Sequence, residues 1–390
     1  MEIKYQIVRG MKDIVNSDAE KFNFITETAI ELAKKFNFKH LITPIVEQAN
    51  LFERNLGEES DIVLKEIYKF EDRSGNVLAL RPEMTASVCR FIIENGLFQG
   101  PFPHKYFSYG PVFRYDRPQK GRYRQFNQLN FEIFGLKETA REIKIYLNFV
   151  SEFLTKIKIK DIVVNVNYLG SIEERKEYVK ELKKYLIQYE NNLSEDSKRR
   201  LHTNILRILD SKDENDKEIL ENAPKIYDYL TDEHKKYISS FDKIELAGNV
   251  KCKINNNLVR GLDYYTGFVF EVITDKIGET QNSVCGGGEY NNMIFDMSGK
   301  KLTAFGFAFG IERLMGMIEL QKNKIDLYCH LTEKSKIVQN AKNEFNFTND
   351  ITKGLKWANQ INADFVFFEN NCKIIKKDLK TGEQTIEENN

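Results

Sequence analysis

Two neighbouring runs restrict the fold of this chain most: KYFSYGPVFRY (105–115) and FNQLNFEIF (126–134), each alternating in character, with a cation-rich loop between them. Side chains of a strand point to opposite faces in turn. Phe126, Gln128, Asn130 and Glu132 therefore share one face, and Leu129, Phe131 and Ile133 share the other. On the preceding run Arg114 falls on the face of Ser108, Gly110 and Val112. The pattern predicts an antiparallel hairpin with an apolar face on a core and a polar face on a cleft. Five lysines or arginines lie between positions 114 and 124. An arginine and a glutamate beneath a cationic loop suit phosphate oxygens beside an ammonium or imidazole. A solvated hairpin carrying ordinary surface ion pairs is the plain alternative.

Further strands are predicted at 41–48, 77–83, 161–169, 268–273 and 303–310, and helices at 18–38, 84–95, 138–157 and 310–321. Strands clustered between helices, without regular βαβ alternation, indicate an α+β fold. Pro44 inside LITPIVEQ (41–48) puts that strand at an edge or boundary. Residues 171–246 are highly charged, nearly free of glycine and helix-periodic, as in a helical insertion with a solvated surface. KIDLYCHL, ITKGLKWANQIN, ADFVFFEN and CKIIKKDL suggest a small terminal α/β module, and TIEENN reads as a frayed tail.

The chain's 390 residues suffice for two or three domains. Lys plus Arg equals Asp plus Glu at 58 each, so a nucleic-acid partner would have to be met by local patches. The five cysteines form no CxxC pair, which argues against a disulfide framework or a structural zinc. No 18-residue apolar stretch and no apolar leader in MEIKYQIVRGMKD is present, so a cytoplasmic protein without membrane contact is expected.

Three other stretches carry possible chemistry. In LVRGLDYYTGFVFEVI (258–273), Arg260, Asp263, Tyr264 and Tyr265 cluster before a strand, where they line either a polar pocket or a plain turn. CGGGEYNN (285–292) marks a close backbone approach, either a bulge or the passage of a ligand. In TAFGFAFGIERLMGMIEL, Arg313 enters the first turn of a helix, where a cation opposes the helix dipole and, with the helix end, makes an anion site.

Together these stretches, with VRGMKD (8–13), FERNLGEESDIVLKEIYKFED, ALRPEMTASVCR and RILDSK, occur in the order of a class II aminoacyl-tRNA synthetase, and the chain resembles the histidyl-tRNA synthetase family from residue 8 to Leu314. The resemblance implies a six-stranded antiparallel catalytic sheet in two parts, 1–170 and 249–322, a helical insertion at 171–248 and a reduced anticodon-binding-like α/β domain at 323–390. It implies ATP with Mg2+, L-histidine and tRNA(His) as partners, and a homodimer formed partly through the first helix and the Pro44 strand. Matched residue by residue, Arg114 and Arg260 correspond to the catalytic arginines on the α-phosphate. Arg122 and Arg313 correspond to arginines near the distal phosphates, and Phe126 to the residue stacking on adenine. Glu83, Thr85 and Gln128 correspond to the histidine ammonium site. Glu132 and Tyr265 correspond to the imidazole site, with Tyr264 and Tyr290 in the same histidine pocket. Asn127 stands where the family has a histidine, and alternation turns it from the cleft. Glu289 stands where a cation is common. A rival reading within reach of the same resemblance is the synthetase-like regulatory subunit of ATP phosphoribosyltransferase, which binds histidine without charging tRNA.

Overall fold

A computed structural model describes residues 5–57, 62–119, 121–274, 282–320, 326–329, 344–346, 350–370 and 373–387. Chain contacts divide it into two compact units, Met1–Ile318 and Glu319–Asn390.

The larger unit is built on a nine-stranded sheet. Its heart is six antiparallel strands in the spatial order His104–Phe113, Gln125–Phe134, Ala304–Gly310, Ser283–Glu289, Phe268–Thr274 and Ile162–Tyr168. Lys39–His40 adds in parallel at one edge, and Val250–Ile254 with Glu245–Leu246 at the other. The predicted hairpin is formed with Gly110 opposite Gln128, Val112 opposite Phe126 and Tyr106 opposite Glu132.

One face of this sheet is a phenylalanine core. Phe107, Phe131 and Phe307 stack across three adjacent strands at centroid distances of 4.7 and 5.0 Å. Phe38 and, from the helix Thr139–Lys156, Phe149 pack edge-on against the same ring of Phe131. The opposite face is floored at its centre by small residues. In FGFAFG the phenylalanines point to the core while Gly306, Ala308 and Gly310 face away, and Gly286 and Gly288 stand opposite Ala308 and Gly306 on the neighbouring strand. Strict alternation of large and absent side chains thus hollows one side of the sheet.

The helix Asn16–Lys35 buries Ile25, Thr26, Ala29, Leu32 and Ala33 as its periodicity predicts, but its cap is Val15 with no side-chain hydrogen bond, not Ser17 or Asp18. Of the strand expected at 41–48 only Val46–Gln48 forms, with Lys39–His40 a separate strand before it. Lys39–His40 joins the main sheet, and Val46–Gln48 joins a separate three-stranded sheet with Lys69–Glu71 and Val77–Leu80. A proline has no N–H to donate, so it sits in the link. The helix expected at 310–321 covers only Ile311–Met315, followed by a turn at Gly316, and residue 321 lies outside the described residues.

The insertion is helical as expected, with helices Ile172–Ile187, Glu195–His202, Glu214–Glu221 and Asp232–Ser239. Ser171 and Glu174 form a reciprocal capping box at its first helix. Among the described residues the smaller unit holds a five-stranded sheet and the helix Ile351–Gln360. Gln384–Glu387 pairs there with Lys373–Asp378, so TIEENN begins as a strand and not as a frayed tail. Its last three residues lie outside the described residues, as do Lys120 and Cys372. Among the described residues no helix is long and apolar enough to cross a membrane.

Candidate active site

A cavity of about 1140 Å³ opens over the hollowed sheet face, and Arg114, Arg122, Arg260 and Arg313 all line it. These arginines come from the hairpin, its loop, the segment before Phe268 and the short helix after Gly310. Their mutual presence registers electrostatically. Burial, followed by repulsion from Arg122 and Arg114, draws the Arg313 guanidinium below its ordinary pKa, with Arg260 adding to the effect. A wall of crowded cations is costly unless an anion occupies it.

Each arginine is held differently. Arg114 donates from Nε to the Pro82 carbonyl at 2.9 Å and lies 5.4 Å from the centre of the Phe126 ring. Burial lowers its pKa, while Glu66 and Glu83 counteract. Arg122 is half exposed and pairs with Asp116 at 3.2 Å. Arg313 donates from Nη1 to the Ser283 carbonyl at 2.6 Å and from Nε to the Gly121 carbonyl at 3.4 Å, bridging the hairpin loop to the glycine-rich strand. Its helix has five residues, so fixation comes from these carbonyls, with no long helix behind it.

Arg260 explains the glycines of CGGG. That segment lies in a central strand, Ser283–Glu289, whose register with Phe268–Thr274 shifts once between Ser283 and Cys285, just before the three glycines. A Cβ on Gly286 would lie 1.9 Å from Arg260 Nη2, so the close approach read in the sequence is made by the guanidinium itself. On the adjacent strand Glu271, opposite Gly286, accepts from Arg260 Nη1 at 2.6 Å. Burial opposes the Arg260 charge, but Glu271 and Tyr265 outweigh it and hold the pKa above its ordinary value. Arg260 Nε is buried without a hydrogen-bond partner among the described residues, an unsatisfied donor beside the cavity.

The other predicted residues form a second group at the same cavity. Glu83, Thr85, Gln128, Tyr264, Tyr265 and Tyr290 all line it, as does Asn130. Glu83 accepts from Thr85 N at 2.6 Å and Ala86 N at 2.9 Å, capping the helix Thr85–Glu94. Tyr264 contacts Tyr265 at a centroid distance of 4.6 Å and Tyr290 at 5.7 Å.

Glu132 lies one layer deeper, 1 % exposed and enclosed by groups that line the cavity. Its carboxylate accepts from Thr85 Oγ1 at 2.5 Å, Asn130 Nδ2 at 3.0 Å and the Tyr290 hydroxyl. Burial pushes its pKa up to about 8, against the lowering effect of those three hydrogen bonds. Gly306 provides the room: a Cβ there would sit 1.8 Å from Glu132 Oε2.

Of the departures from the family pattern, neither Asn127 nor Glu289 lines the cavity. Asn127 donates from its backbone N and from Nδ2 to the Glu312 carboxylate. Glu289 is buried, accepts from Phe268 N at 2.7 Å and does not line the cavity.

The expectation of an insertion with only a solvated surface needs correction. Arg199, Arg200, Arg207 and Lys212 line the cavity from the insertion side. Asp216, fully buried, organises this wall. It accepts from Ser194 N and from the hydroxyls of Ser194, Ser197 and Ser211 at 2.9, 2.7, 2.6 and 2.5 Å. Arg207 Nη1 also donates to the Arg260 carbonyl at 2.9 Å. The run KRR (198–200) and RILDSK were the signals available in the sequence.

An α+β sheet that gathers arginines from four chain segments beside a buried carboxylate defines a protein built to hold a polyanion next to a cationic or N–H-donating ligand. The comparisons narrow this class. The family model "Histidyl-tRNA synthetase" matches residues 10–314. The "Histidine--tRNA ligase" of Wolbachia pipientis subsp. Culex pipiens is 40% identical, covering 97% of this chain and 96% of the relative. That of Aquifex aeolicus is 38% identical over 97% of each. The crystal structure of apo S. aureus histidyl-tRNA synthetase superposes with a TM-score of 0.71 at 30% identity, covering 98% of this chain and 97% of the other. The chain belongs to the histidyl-tRNA synthetase family.

Proposed function

We propose that this chain is an aminoacyl-tRNA ligase that activates L-histidine with ATP and transfers it to the 3′ end of tRNA(His). The observation that carries this reading is the convergence of Arg114, Arg260 and Arg313 on one cavity with the Glu132 network. Relatives named for the ligase over nearly the full length favour it over the regulatory-subunit reading.

The α-carboxylate of histidine is ionised at neutral pH and needs no base to attack the α-phosphorus. The protein's task is positioning and stabilisation of developing charge. In this reading Arg114 and Arg260 act on the α-phosphate, Arg122 and Arg313 on the distal phosphates, and Phe126 on adenine. Pyrophosphate leaves, and a terminal ribose hydroxyl of the tRNA takes the acyl group. Magnesium bound with the triphosphate would supply charge neutralisation to the phosphates. Glu271 and Glu312, which line the cavity, would hold it, since one or two protein carboxylates suffice.

Glu83, Thr85 and Gln128 receive the ammonium group. Glu132 acts on the imidazole through its neighbours. A ligand N–H favours the ionised form of Glu132, in which the Thr85 and Tyr290 hydroxyls donate inward and their oxygens serve as acceptors toward the cavity, beside Tyr264 and Tyr265. A ligand without that N–H leaves them unpaired, which is worth roughly 10⁴-fold in discrimination.

The reading divides the chain into catalytic parts at 1–170 and 249–322, an insertion at 171–248 and an anticodon-binding-like domain at 323–390, and assigns it to the cytoplasm. It also makes the protein a homodimer. On the three-stranded sheet Val46, Phe70, Leu78 and Leu80 share one face by register, and Val46 and Phe70 are exposed, as is Ile42 at 79%. A second copy of the chain is the occupant that fits beside Pro44. Histidine-dependent exchange of pyrophosphate into ATP, followed by charging of tRNA(His), tests the function. Histidine binding without exchange would return the regulatory-subunit reading.

A further inference from the structure

Arg81 is 3% exposed and is paired with no carboxylate at hydrogen-bonding distance among the described contacts; backbone carbonyls hold its guanidinium instead. Nε donates to the Pro111 carbonyl at 2.9 Å. Nη1 donates to the Thr43 carbonyl and hydroxyl, both at 2.9 Å, and to the Pro44 carbonyl at 3.4 Å. Its main chain spans the same gap: Arg81 N donates to the Ile45 carbonyl at 2.9 Å, and Phe113 N donates to the Arg81 carbonyl at 3.0 Å. One residue therefore ties the segment 43–45 to the end of the catalytic hairpin twice, by side chain and by backbone.

The tie ends beside the reacting groups. Arg114 follows Phe113 directly, and its Nε rests on the carbonyl of Pro82, the residue after Arg81. The Arg81 guanidinium also lies against Gly110, where a Cβ would meet Nη2 at 3.1 Å and φ is +145°. Gly110 is the strand partner of Gln128, on the floor of the cavity. On the other side, the anchored segment adjoins exposed Ile42, Ile45 and Val46.

We propose that Arg81 is a positioning residue for adenylate formation: it fixes Arg114 and Gln128 to the Thr43–Ile45 segment, so that the phosphate-binding geometry depends on how that segment is held. The proposal rests on the function proposed above. A buried guanidinium suits the role because its planar fork reaches two segments at fixed angles, whereas an ammonium on a flexible stem reaches one. A displacement of Arg114 by about 1 Å is enough to cost on the order of 10²-fold in turnover.

The test compares the full-length protein with Arg81→Lys and Arg81→Met. Active sites are counted by the burst of histidyl-adenylate, and pyrophosphate exchange is read per active site. Arg81→Lys is expected to melt near the wild type yet turn over about 10²-fold more slowly per site at saturating ATP and histidine. Arg81→Met is expected to behave no better. Normal turnover per site in Arg81→Lys, with any loss confined to the number of active sites, would make the residue merely structural and overturn the proposal. MgATP binding by calorimetry gives a reading independent of chemistry, with about tenfold weaker binding expected in Arg81→Lys. An unchanged affinity there counts against the inference even if the wild type shows no exchange. Failure of exchange in the wild type alone counts only against the function.

Discussion

Replacing Glu132 by glutamine should raise stability and abolish histidine activation in the same protein, with a pH dependence that follows from one buried carboxyl. Glu132 is held at about 8 in the fold against an ordinary value of 4.5, because burial outweighs three donated hydrogen bonds. A folded pKa above the unfolded one means that stability is fully present below about pH 4.5 and is lost as pH rises toward about 8. At 1.36 kcal/mol per pH unit, the loss reaches about 3 kcal/mol at pH 7 and levels off at roughly 5 kcal/mol above pH 8. Glutamine is nearly isosteric with the protonated acid and does not titrate. Its second amide hydrogen costs about 1 kcal/mol where it meets Thr85, Asn130 or Tyr290. Glu132→Gln should therefore match the wild type within about 1 kcal/mol at pH 4.5 and exceed it by about 2 kcal/mol at pH 7. Glu289, which burial likewise raises to about 7, titrates in both proteins and cancels in the difference. Urea unfolding midpoints between pH 4.5 and 9 measure this, and pyrophosphate exchange measures the accompanying loss, about 10²-fold or more. A stability difference independent of pH, or wild-type activation of histidine, would refute the reasoning.

Gly306→Ala forces its Cβ against Glu132 Oε2; KM for histidine should rise about tenfold or more for roughly 1–3 kcal/mol of overpacking, while calorimetric MgATP affinity is unchanged. In the Arg260–Glu271 pair, Arg260→Met alone leaves the partly buried Glu271 carboxylate without its guanidinium and should cost about 1–3 kcal/mol, whereas Arg260→Met with Glu271→Leu should recover most of it. Exchange stays lost in both, and a double variant no more stable than the single one removes the pair from the account.

The hairpin was legible because its two strands alternate without interruption, and its residues fall on the predicted faces at Gly110–Gln128 and Tyr106–Glu132. Convergence of distant arginines was legible only through the resemblance, since nothing local to Arg260 or Arg313 says where the chain returns. Three features escaped. The strand CGGGE has no side chains with which to announce a strand, and it earns its place by leaving room for Arg260. Arg81 lies in a run that reads as an ordinary strand end, and its partners are carbonyls, which no residue type signals. The insertion's charges resemble any solvated helical face; that Arg199, Arg207 and Lys212 line the cavity beside a buried Asp216 depends on contacts spread from 194 to 211 and beyond.

The depth of Glu132 decides how selectivity is expressed. A carboxylate lining the cavity would attract any cation, including the ammonium group common to all amino acids. Enclosed by Thr85, Asn130 and Tyr290, it acts instead by fixing which way two hydroxyls point. While it is ionised, both donate inward and the cavity presents oxygen acceptors; when it is protonated, one hydroxyl must accept from it and can turn its own hydrogen outward. Hydrogen-bond direction discriminates more finely than charge, because an orphaned acceptor costs about 1–3 kcal/mol whatever the net charge of the ligand. The glycine at 306 is then a requirement of specificity as much as of packing. It gives the carboxyl space to sit below the floor, and the floor's polarity follows from what lies beneath it.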